Sequence, residues 1–186
     1  MIREKAMEMI VMKGFDGLSM QKLARAANIS PSTIYIYFKN REDLLNQLFI
    51  QVQQTFSDVA LAGFSPDLSF EDGLWLQWKN RLSFILKYPV HYQFYEQFRN
   101  SPLINHTGIN LSVFKNNMNH FVLNAIKRGE LPRMEPEIFW SLAYGSFYSL
   151  VMFHLNEKSM MNENFKLTEP IMKQTFKLVI KALQIR

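Results

Sequence analysis

The sequence predicts an all-α protein of about nine helices, and three observations predict this class. Apolar residues recur every three or four positions in one segment after another, as they do along the buried face of a helix. Ser, Asn, Gly and Pro separate these segments at the positions where helices begin and end. No segment shows the sustained alternation of apolar and polar residues between hairpin turns that a strand requires.

The N-terminal segment predicts two helices separated by a turn. The apolar positions of residues 2–13 lie three or four apart, and Gly14 stands where such a helix would end. Ser19 is a good N-cap because its hydroxyl accepts a hydrogen bond from a backbone N–H of the first turn. A short second helix is therefore expected over about residues 20–26.

The stretch ISPSTIYIYF, residues 29–38, is open to two interpretations. Its β-branched and aromatic residues are typical of a strand, whereas Ser30 and Pro31 mark the start of a helix. A strand at this place would have no partner for its backbone groups. Wound as a helix, the stretch places Ile34 and Phe38 on one side, where both can enter a core. The helical interpretation is therefore favoured.

The rest of the chain predicts six more helices. Asn40 caps a helix that runs to about residue 61, and the loop AGFSPDLS, residues 62–69, is the best domain boundary. The later helices begin at Ser or Pro signals or follow a polar loop, and they span about residues 70–87, 89–100, 109–128, 136–156 and 170–183.

Composition excludes several classes of protein. The absence of Cys rules out disulfides, thiolate zinc sites and a Cys nucleophile. No glycine loop for phosphates, GxSxG or HExxH motif is present, and the four His lack metal-ligand spacing, so we expect no enzyme, no cofactor and no metal. The segment from residue 138 to 156 is uncharged, but its Ser, Tyr and His content favours a buried helix over a membrane span. The net charge of +5 is compatible with an anionic partner.

The second and third helices are spaced as in a helix-turn-helix, whose second helix can enter the major groove of DNA. Hydroxyl and apolar side chains on its outer side suit base edges and thymine methyl groups, and flanking polar or basic side chains suit phosphates. The expected base-side contacts are Ser32, Thr33, Tyr35 and Ile36, and the expected phosphate contacts are Ser19, Tyr37, Lys39 and Arg41. The alternative is a plain αα corner whose hydroxyls only cap helices.

Residues 2–49 resemble the DNA-binding domain of the TetR family of bacterial transcriptional regulators. The resemblance rests on KGF followed by a Ser, on LARAANIS beside the family's IAxxAGVS, and on STIYIYFKNREDLL beside GTLYxYFxSKexLL. Asn28 replaces the usual turn glycine, and Ser32 stands where the family often has Gly. The sequence begins almost at its first helix, so no basic N-terminal arm is expected.

The resemblance implies a cytoplasmic homodimer that binds a pseudo-palindromic double-stranded DNA operator, usually as a repressor. Residues 1–49 would form the DNA-binding domain, with the helix from about residue 40 continuing to 61 as a connector. Residues 62–186 would form a helical domain for effector binding and dimerisation, in which the last two helices pair. Members of the family respond to a small-molecule effector, and no contact with a membrane is implied.

The segment from residue 75 to 154 is dense in aromatic residues, which line pockets for apolar or aromatic ligands but also fill cores. Few charges lie among them, which favours a neutral or weakly polar effector. The candidate pocket residues are Trp75, Trp78, Tyr92, Tyr95, His120, Phe121, Tyr144, Phe147 and Tyr148.

Two helical faces are candidates for dimer contacts. One carries small residues at four-residue spacing, which let another helix approach closely, and the other is the apolar stripe of the last helix. The candidates are Ser141, Gly145, Ser149, Met172, Phe176, Val179, Ile180 and Leu183.

Two other functions remain open from the sequence. In the first, the DNA-binding head is kept, but the C-terminal domain responds to a partner protein and binds no small molecule. In the second, the chain is a helical lipid-binding or carrier protein.

Overall fold

The computed structural model describes residues 1–99, 101 and 112–184, and within these ranges it contains nine α-helices and no strand. The all-α class predicted from the sequence is confirmed. The helices are α1 (Ile2–Lys13), α2 (Met20–Ala26), α3 (Pro31–Tyr37), α4 (Arg41–Ala60), α5 (Phe70–Lys87), α6 (Pro89–Arg99), α7 (Ser112–Lys127), α8 (Pro136–Leu155) and α9 (Glu169–Leu183), and a single 3₁₀ turn covers Phe15–Gly17. The start predicted for α7, residue 109, and the end predicted for α6, residue 100, lie outside the described residues.

Side-chain caps set the helix starts that the sequence indicates. The Ser19 hydroxyl accepts a hydrogen bond from the Lys22 N–H at 3.2 Å, and this bond begins α2. At α5, the Ser69 hydroxyl accepts from the Asp72 N–H at 3.1 Å and donates to the Asp72 carboxylate at 2.7 Å. Each cap satisfies a backbone donor that has no partner inside the helix.

The chain divides into two compact units. One contains residues 1–59 and the described part of residues 83–111, and the other contains residues 60–82 and the described part of 112–186. The functional division expected from the sequence, into a DNA-binding and an effector-binding domain, stays a prediction.

The first unit has a core of aromatic rings against the N-terminal helices. Phe98 of α6 stacks on Phe49 of α4 with 4.2 Å between ring centroids, and Phe15 meets Phe98 edge-on at 6.0 Å. The Gln97 amide donates to the Val11 carbonyl at 3.2 Å. These contacts hold α1, α4 and α6 together, so the helices on either side of α2 and α3 along the chain are packed against one another.

The core of the second unit is centred on Trp78, which is fully buried. Its indole N–H donates to the Ala143 carbonyl at 2.9 Å, and its rings lie 5.3 Å from those of Phe147 and Phe176. One residue therefore connects α5 with α8 and α9.

A close approach between α5 and α7 occurs at Gly73. A Cβ added at this glycine would lie 2.3 Å from Cε2 of the Phe121 ring. Because real Cβ atoms do not come so near a neighbouring heavy atom, only glycine lets the Phe121 ring occupy this place.

Helix α8 is long and apolar enough, by length and composition, to cross a membrane. The sequence suggests burial on most sides, but in the single chain α8 buries one side, with Phe139, Ala143 and Phe147 inward. Its opposite side, which carries Gly145 and Ser149, is exposed and uncharged. An exposed apolar face of this kind marks a contact surface.

Candidate DNA-binding site

The turn between α2 and α3 is built around Asn28. This residue has a φ of 54°, in the left-handed region that Asn tolerates better than most residues. The following Ile29 N–H bonds back to the Ala24 carbonyl at 3.0 Å, and the backbone then enters α3. The replacement of the family's turn glycine by Asn28 is therefore compatible with a tight helix-turn-helix.

Helix α3 is held from one side and open on the other. Ile34 is fully buried and Phe38 is 3% exposed, so both anchor the helix in the core of the first unit. On the opposite side Tyr35, Ile36 and Tyr37 are 54%, 77% and 62% exposed. An isolated run of large exposed apolar side chains is unusual on a soluble protein and marks a contact surface.

The hydroxyl groups at the start of α3 form a cluster. The Ser30 hydroxyl lies 2.7 Å from the Ser32 hydroxyl and 2.8 Å from that of Thr33, and it also accepts from the Thr33 N–H at 3.2 Å. Each hydroxyl has one donor and two acceptor sites, so Ser32 and Thr33 keep capacity for a further bond. The sequence pointed to the two outer hydroxyls but not to the role of Ser30 in orienting them.

Asp43 fixes the junction between α3 and α4. Its carboxylate accepts from the Lys39 N–H at 2.8 Å and from the Gln47 amide, while its own N–H is capped by Asn40 at 2.8 Å. The hydrogen bond from the Lys39 N–H, followed by that from Gln47, holds the pKa of Asp43 below its ordinary value. The Lys39 side chain itself is exposed.

We expect Asp43→Asn to lower stability near neutral pH, and we expect this loss to shrink in acid. A carboxyl with a lowered folded pKa stabilises the fold fully above its unfolded pKa, about 3.9. This contribution is lost as the pH falls through the lower folded value. Urea unfolding of both proteins between pH 2.5 and 6 measures the effect, with the exposed neighbour change Glu42→Gln as the control. A difference between Asp43→Asn and the parent that stays constant with pH would contradict the explanation.

Arg41 and Ser19 have structural roles within the first unit. The Arg41 guanidinium donates to the Leu18 carbonyl at 3.2 Å and to the Phe15 carbonyl at 2.5 Å, which ties the start of α4 to the 3₁₀ turn. Ser19 caps α2. A phosphate contact by either residue stays a prediction, and for Arg41 it would use the N–H groups that these two bonds leave over.

Two basic residues that the sequence reasoning did not select are exposed on α2. Lys22 lies in its first turn and Arg25 in its last. The first helix of a helix-turn-helix crosses the DNA backbone, so exposed cations on it are placed to meet phosphates. Their spacing of three residues, on one side of a short helix, is the signal that could have found them.

The candidate pocket residues fall in different places. Tyr92 and Tyr95 belong to the first unit, where Tyr95 stacks on Phe49 at 5.8 Å. Of those in the second unit, His120 is exposed and Trp75 and Tyr148 are half-buried. The remaining four lie buried in its core and are Trp78, Phe121, Tyr144 and Phe147.

A cavity of about 270 Å³ lies between α7 and α8 in the second unit. Its walls are mostly apolar, with Met118, Phe139 and Trp140 among them, and none of the nine candidate pocket residues lines it. An adjoining recess shares Leu123 with it and has Arg133 at its edge.

The most informative residue that sequence reasoning missed is Arg81 of α5. It is 5% exposed, and its Nη1 donates to the Tyr148 hydroxyl at 2.8 Å. Burial raises the pKa of the neighbouring Tyr144 to about 12, although the charge of Arg81 acts in the opposite direction. The sequence gives no local signal for its burial, because Arg81 directly follows the polar residues Lys79 and Asn80.

The two groups of candidate dimer residues differ in exposure. The stripe on α9, from Met172 to Leu183, is buried in its own chain, where Phe176 lies 4.9 Å from Trp75. In the single chain these side chains therefore belong to the core. Ser141, Gly145 and Ser149 of α8 are exposed, and nothing lies within 4 Å of a Cβ placed at Gly145.

No group of three or more His, Asp or Glu side chains suited to a metal ion occurs in the part of the chain that the structure describes.

Comparison with known proteins agrees with this geometry. The family model for bacterial regulatory proteins of the tetR family matches residues 2–48. An uncharacterized HTH-type transcriptional regulator of Haemophilus influenzae is 30% identical over 131 residues, which cover 70% of this chain and 69% of the relative.

Solved structures of transcriptional regulators share the fold of this chain. A TetR family transcription regulator from Marinobacter aquaeolei VT8 is 25% identical, with a TM-score of 0.77 over 100% of this chain and 94% of its own. FadR, a transcriptional regulator from Bacillus subtilis whose crystal structure contains stearoyl-CoA, is 19% identical, with a TM-score of 0.73 over 98% of both chains. The relatives, the family match and the helix-turn-helix together show that the chain belongs to the TetR family and is a DNA-binding transcriptional regulator.

Proposed function

We propose that the protein is a homodimeric, sequence-specific repressor in the cytoplasm that a small, largely apolar or aromatic effector releases from its operator. The observation that carries the DNA-binding part is the exposed side of α3. The buried side chains of Ile34 and Phe38 anchor the helix in the core of the first unit. The side chains of Tyr35, Ile36 and Tyr37 are exposed on its opposite side. A short helix held in this way can enter the major groove without distortion of its core.

The contacts are assigned by chemistry and exposure. Ser32, Thr33, Tyr35 and Ile36 face base edges, where the hydroxyls reach donors and acceptors and Ile36 contacts a thymine methyl. Tyr37 and Lys39 lie beside them with exposed polar ends suited to phosphate oxygens. Base contacts select the sequence, and phosphate contacts position the helix.

The exposed face of α8 supports a dimer. Ile138, Leu142 and Met152 are 51%, 41% and 51% exposed, and they flank the small residues Gly145 and Ser149 on one side of the helix. A face without charges favours contact with an identical face, because self-association then buries no unpaired ion. Two copies related by a two-fold axis would present two α3 helices to a pseudo-palindromic operator.

Regulation by an effector is supported by the apolar interior of the second unit and by one structural neighbour. FadR of Bacillus subtilis shares the fold and was crystallised with stearoyl-CoA. We infer that an effector binds the second unit more tightly in a state whose two α3 helices no longer match the operator. DNA affinity then falls by the free energy that couples the two binding events.

Selection of bound duplexes from a random pool tests the function directly. We expect enrichment of one sequence with two related half-sites, and an affinity that falls steeply as the salt concentration rises. Retention of random and selected duplexes with equal affinity would overturn sequence-specific regulation. Control by a partner protein would be supported if candidate metabolites leave the selected complex unchanged and the protein isolated from cells carries no small molecule.

We expect Thr33→Ala to change which sequences are preferred, and Tyr37→Phe to weaken binding to all sequences alike. Loss of the Thr33 hydroxyl removes a group at the base edges, at a cost of about 1–3 kcal/mol on the preferred base pair. Loss of the Tyr37 hydroxyl removes a phosphate contact, which every duplex offers. Titration of each variant with the selected duplex, with single-position variants of it and with random duplex separates the two effects. Equal losses on selected and random DNA for both variants would refute this assignment.

A further inference from the structure

Arg81 is a permanently charged side chain inside the second unit. It lies on α5, is 5% exposed, and keeps its charge at any pH of interest. Removing a guanidinium from water is costly, and the cost is recovered only where geometry and hydrogen bonding are good. A charge in this position therefore calls for a functional explanation.

The surroundings of Arg81 are aromatic. Its guanidinium carbon lies 4.3 Å from the centroid of the Tyr144 ring, 5.4 Å from that of Phe114 and 5.9 Å from that of Trp140. Its Nη1 donates to the Tyr148 hydroxyl at 2.8 Å. The rings and the tyrosine hydroxyl hold the planar guanidinium in one orientation, so its charge is prepared for an oxyanion placed beside it.

A second donor lies beside this guanidinium. The Tyr144 hydroxyl is buried, and because its pKa is raised to about 12 it keeps its proton at neutral pH. Arg81 lies over the ring of Tyr144 and can only donate to the hydroxyl oxygen, and no residue that the structure describes accepts a hydrogen bond from the hydroxyl proton. A buried polar group without such a bond is costly to the fold, and a ligand oxygen would satisfy it.

We propose that Arg81, Tyr144 and Tyr148 form an anion-binding subsite for the effector, which is an amphipathic molecule with an oxyanion on an apolar body. This proposal rests on the proposed function, and it changes the neutral or weakly polar effector expected from the sequence into an anionic one. The arginine supplies the charge, and the two hydroxyls supply directional donors.

The apolar body has a place next to the subsite. Trp140 stacks on Tyr144 with 4.8 Å between ring centroids, and Trp140 also lines the cavity of about 270 Å³ between α7 and α8. The Trp140 indole therefore borders both the subsite and the cavity. An acid with an apolar chain or an aromatic body combines the two requirements, and its oxyanion is a carboxylate or the phosphate of a thioester carrier.

Matched pairs of ligands test the proposal by calorimetry and by tryptophan fluorescence. The probes are decanoate with decan-1-ol, 2-naphthoate with 2-naphthylmethanol, and decanoyl-CoA. We expect at least one anion to bind and its neutral partner to bind at least tenfold more weakly. Decanoate and decanoyl-CoA distinguish a free carboxylate from a phosphorylated carrier. Equal binding of each acid and its alcohol, or no binding of any anion, would overturn the subsite.

Variants locate the bound anion. Arg81→Met should weaken the binding anion at least tenfold and leave a neutral ligand unchanged. Tyr148→Phe, which keeps the ring, should weaken the anion several-fold. Arg133→Met is the matched control, because Arg133 is an exposed arginine at the edge of the other recess. Loss of anion binding in Arg133→Met but not in Arg81→Met or Tyr148→Phe would place the anion elsewhere and refute the proposal.

Duplex binding by the same preparations separates this proposal from the one on which it rests. If selected DNA is retained and no anion binds, only the subsite is refuted. If no duplex is selected at all, the repressor function fails, whatever the ligands do. Should Arg81→Met fail to fold, Arg81→Lys keeps the charge without the planar fork and is expected to show an intermediate loss of affinity.

Discussion

Gly145→Arg is expected to give a folded monomer that binds the selected operator on the order of 100-fold more weakly than the parent protein. The substituted side chain has room in the single chain, because nothing lies within 4 Å of a Cβ at this position. Replacement of glycine inside a helix also favours the helix by up to about 1 kcal/mol. In the proposed dimer, however, the same side chain places a charge in the middle of an apolar contact. Each monomer then binds its half-site independently, and the gain in affinity that comes from joining two DNA-binding domains in one dimer is lost.

Sedimentation velocity measures the oligomeric state, and titration with the selected duplex measures the affinity. Asn116→Arg is the matched control, because it adds the same side chain at an exposed position of α7 in the same unit. It should remain a dimer with unchanged affinity. A Gly145→Arg protein that sediments as a dimer and binds DNA normally would show that α8 does not form the interface.

Trp78→Ala is expected to destabilise the second unit by about 3–5 kcal/mol. The indole is fully buried, packs on Phe147 and Phe176, and donates to the Ala143 carbonyl. Its removal leaves a cavity where three helices meet, and the surrounding helices can close it only in part. Since whole domains are stable by about 5–15 kcal/mol, the loss is a large share of the total. Urea unfolding followed by far-UV circular dichroism measures it.

Trp78→Phe is the companion variant, because it keeps a ring between Phe147 and Phe176 but has no donor for the Ala143 carbonyl. A cost well below that of Trp78→Ala is expected, since most of the contact area remains. If both variants lost the same stability, the indole hydrogen bond, not the packing, would be the main contribution of Trp78.

The fold was predictable because its signals are local. Ser30 and Pro31 determine where α3 begins, and the burial of Ile34 and Phe38 follows from their spacing of four residues. These features outweigh the β propensity of the neighbouring residues, which depends on partner strands that this chain does not provide in the residues described. Asn28 was likewise readable as a turn residue, and it adopts the left-handed conformation.

The parts of the site that were missed depend on contacts between distant segments. Arg81 looks like an ordinary surface cation in sequence, and only the arrival of Tyr144 and Tyr148 from α8 buries it. The apolar stripe of α9 has the pattern of an interface helix. That pattern predicts a buried face but cannot say whether the burial is within one chain or between two, and in this chain Phe176 meets Trp75 and Trp78. Helical periodicity describes one helix at a time, whereas a binding site is made by several.

The close approach of Gly73 to the Phe121 ring has a consequence for how this protein can change through evolution. Any larger residue at position 73 is blocked while the Phe121 ring is present, and a smaller residue at position 121 alone leaves a void beside α5. Each single step lowers stability, although a pair such as Gly73→Ala with Phe121→Leu restores the volume. The two positions are therefore coupled in evolution. A substitution at one of them is tolerated only when the other position changes to compensate for the altered volume.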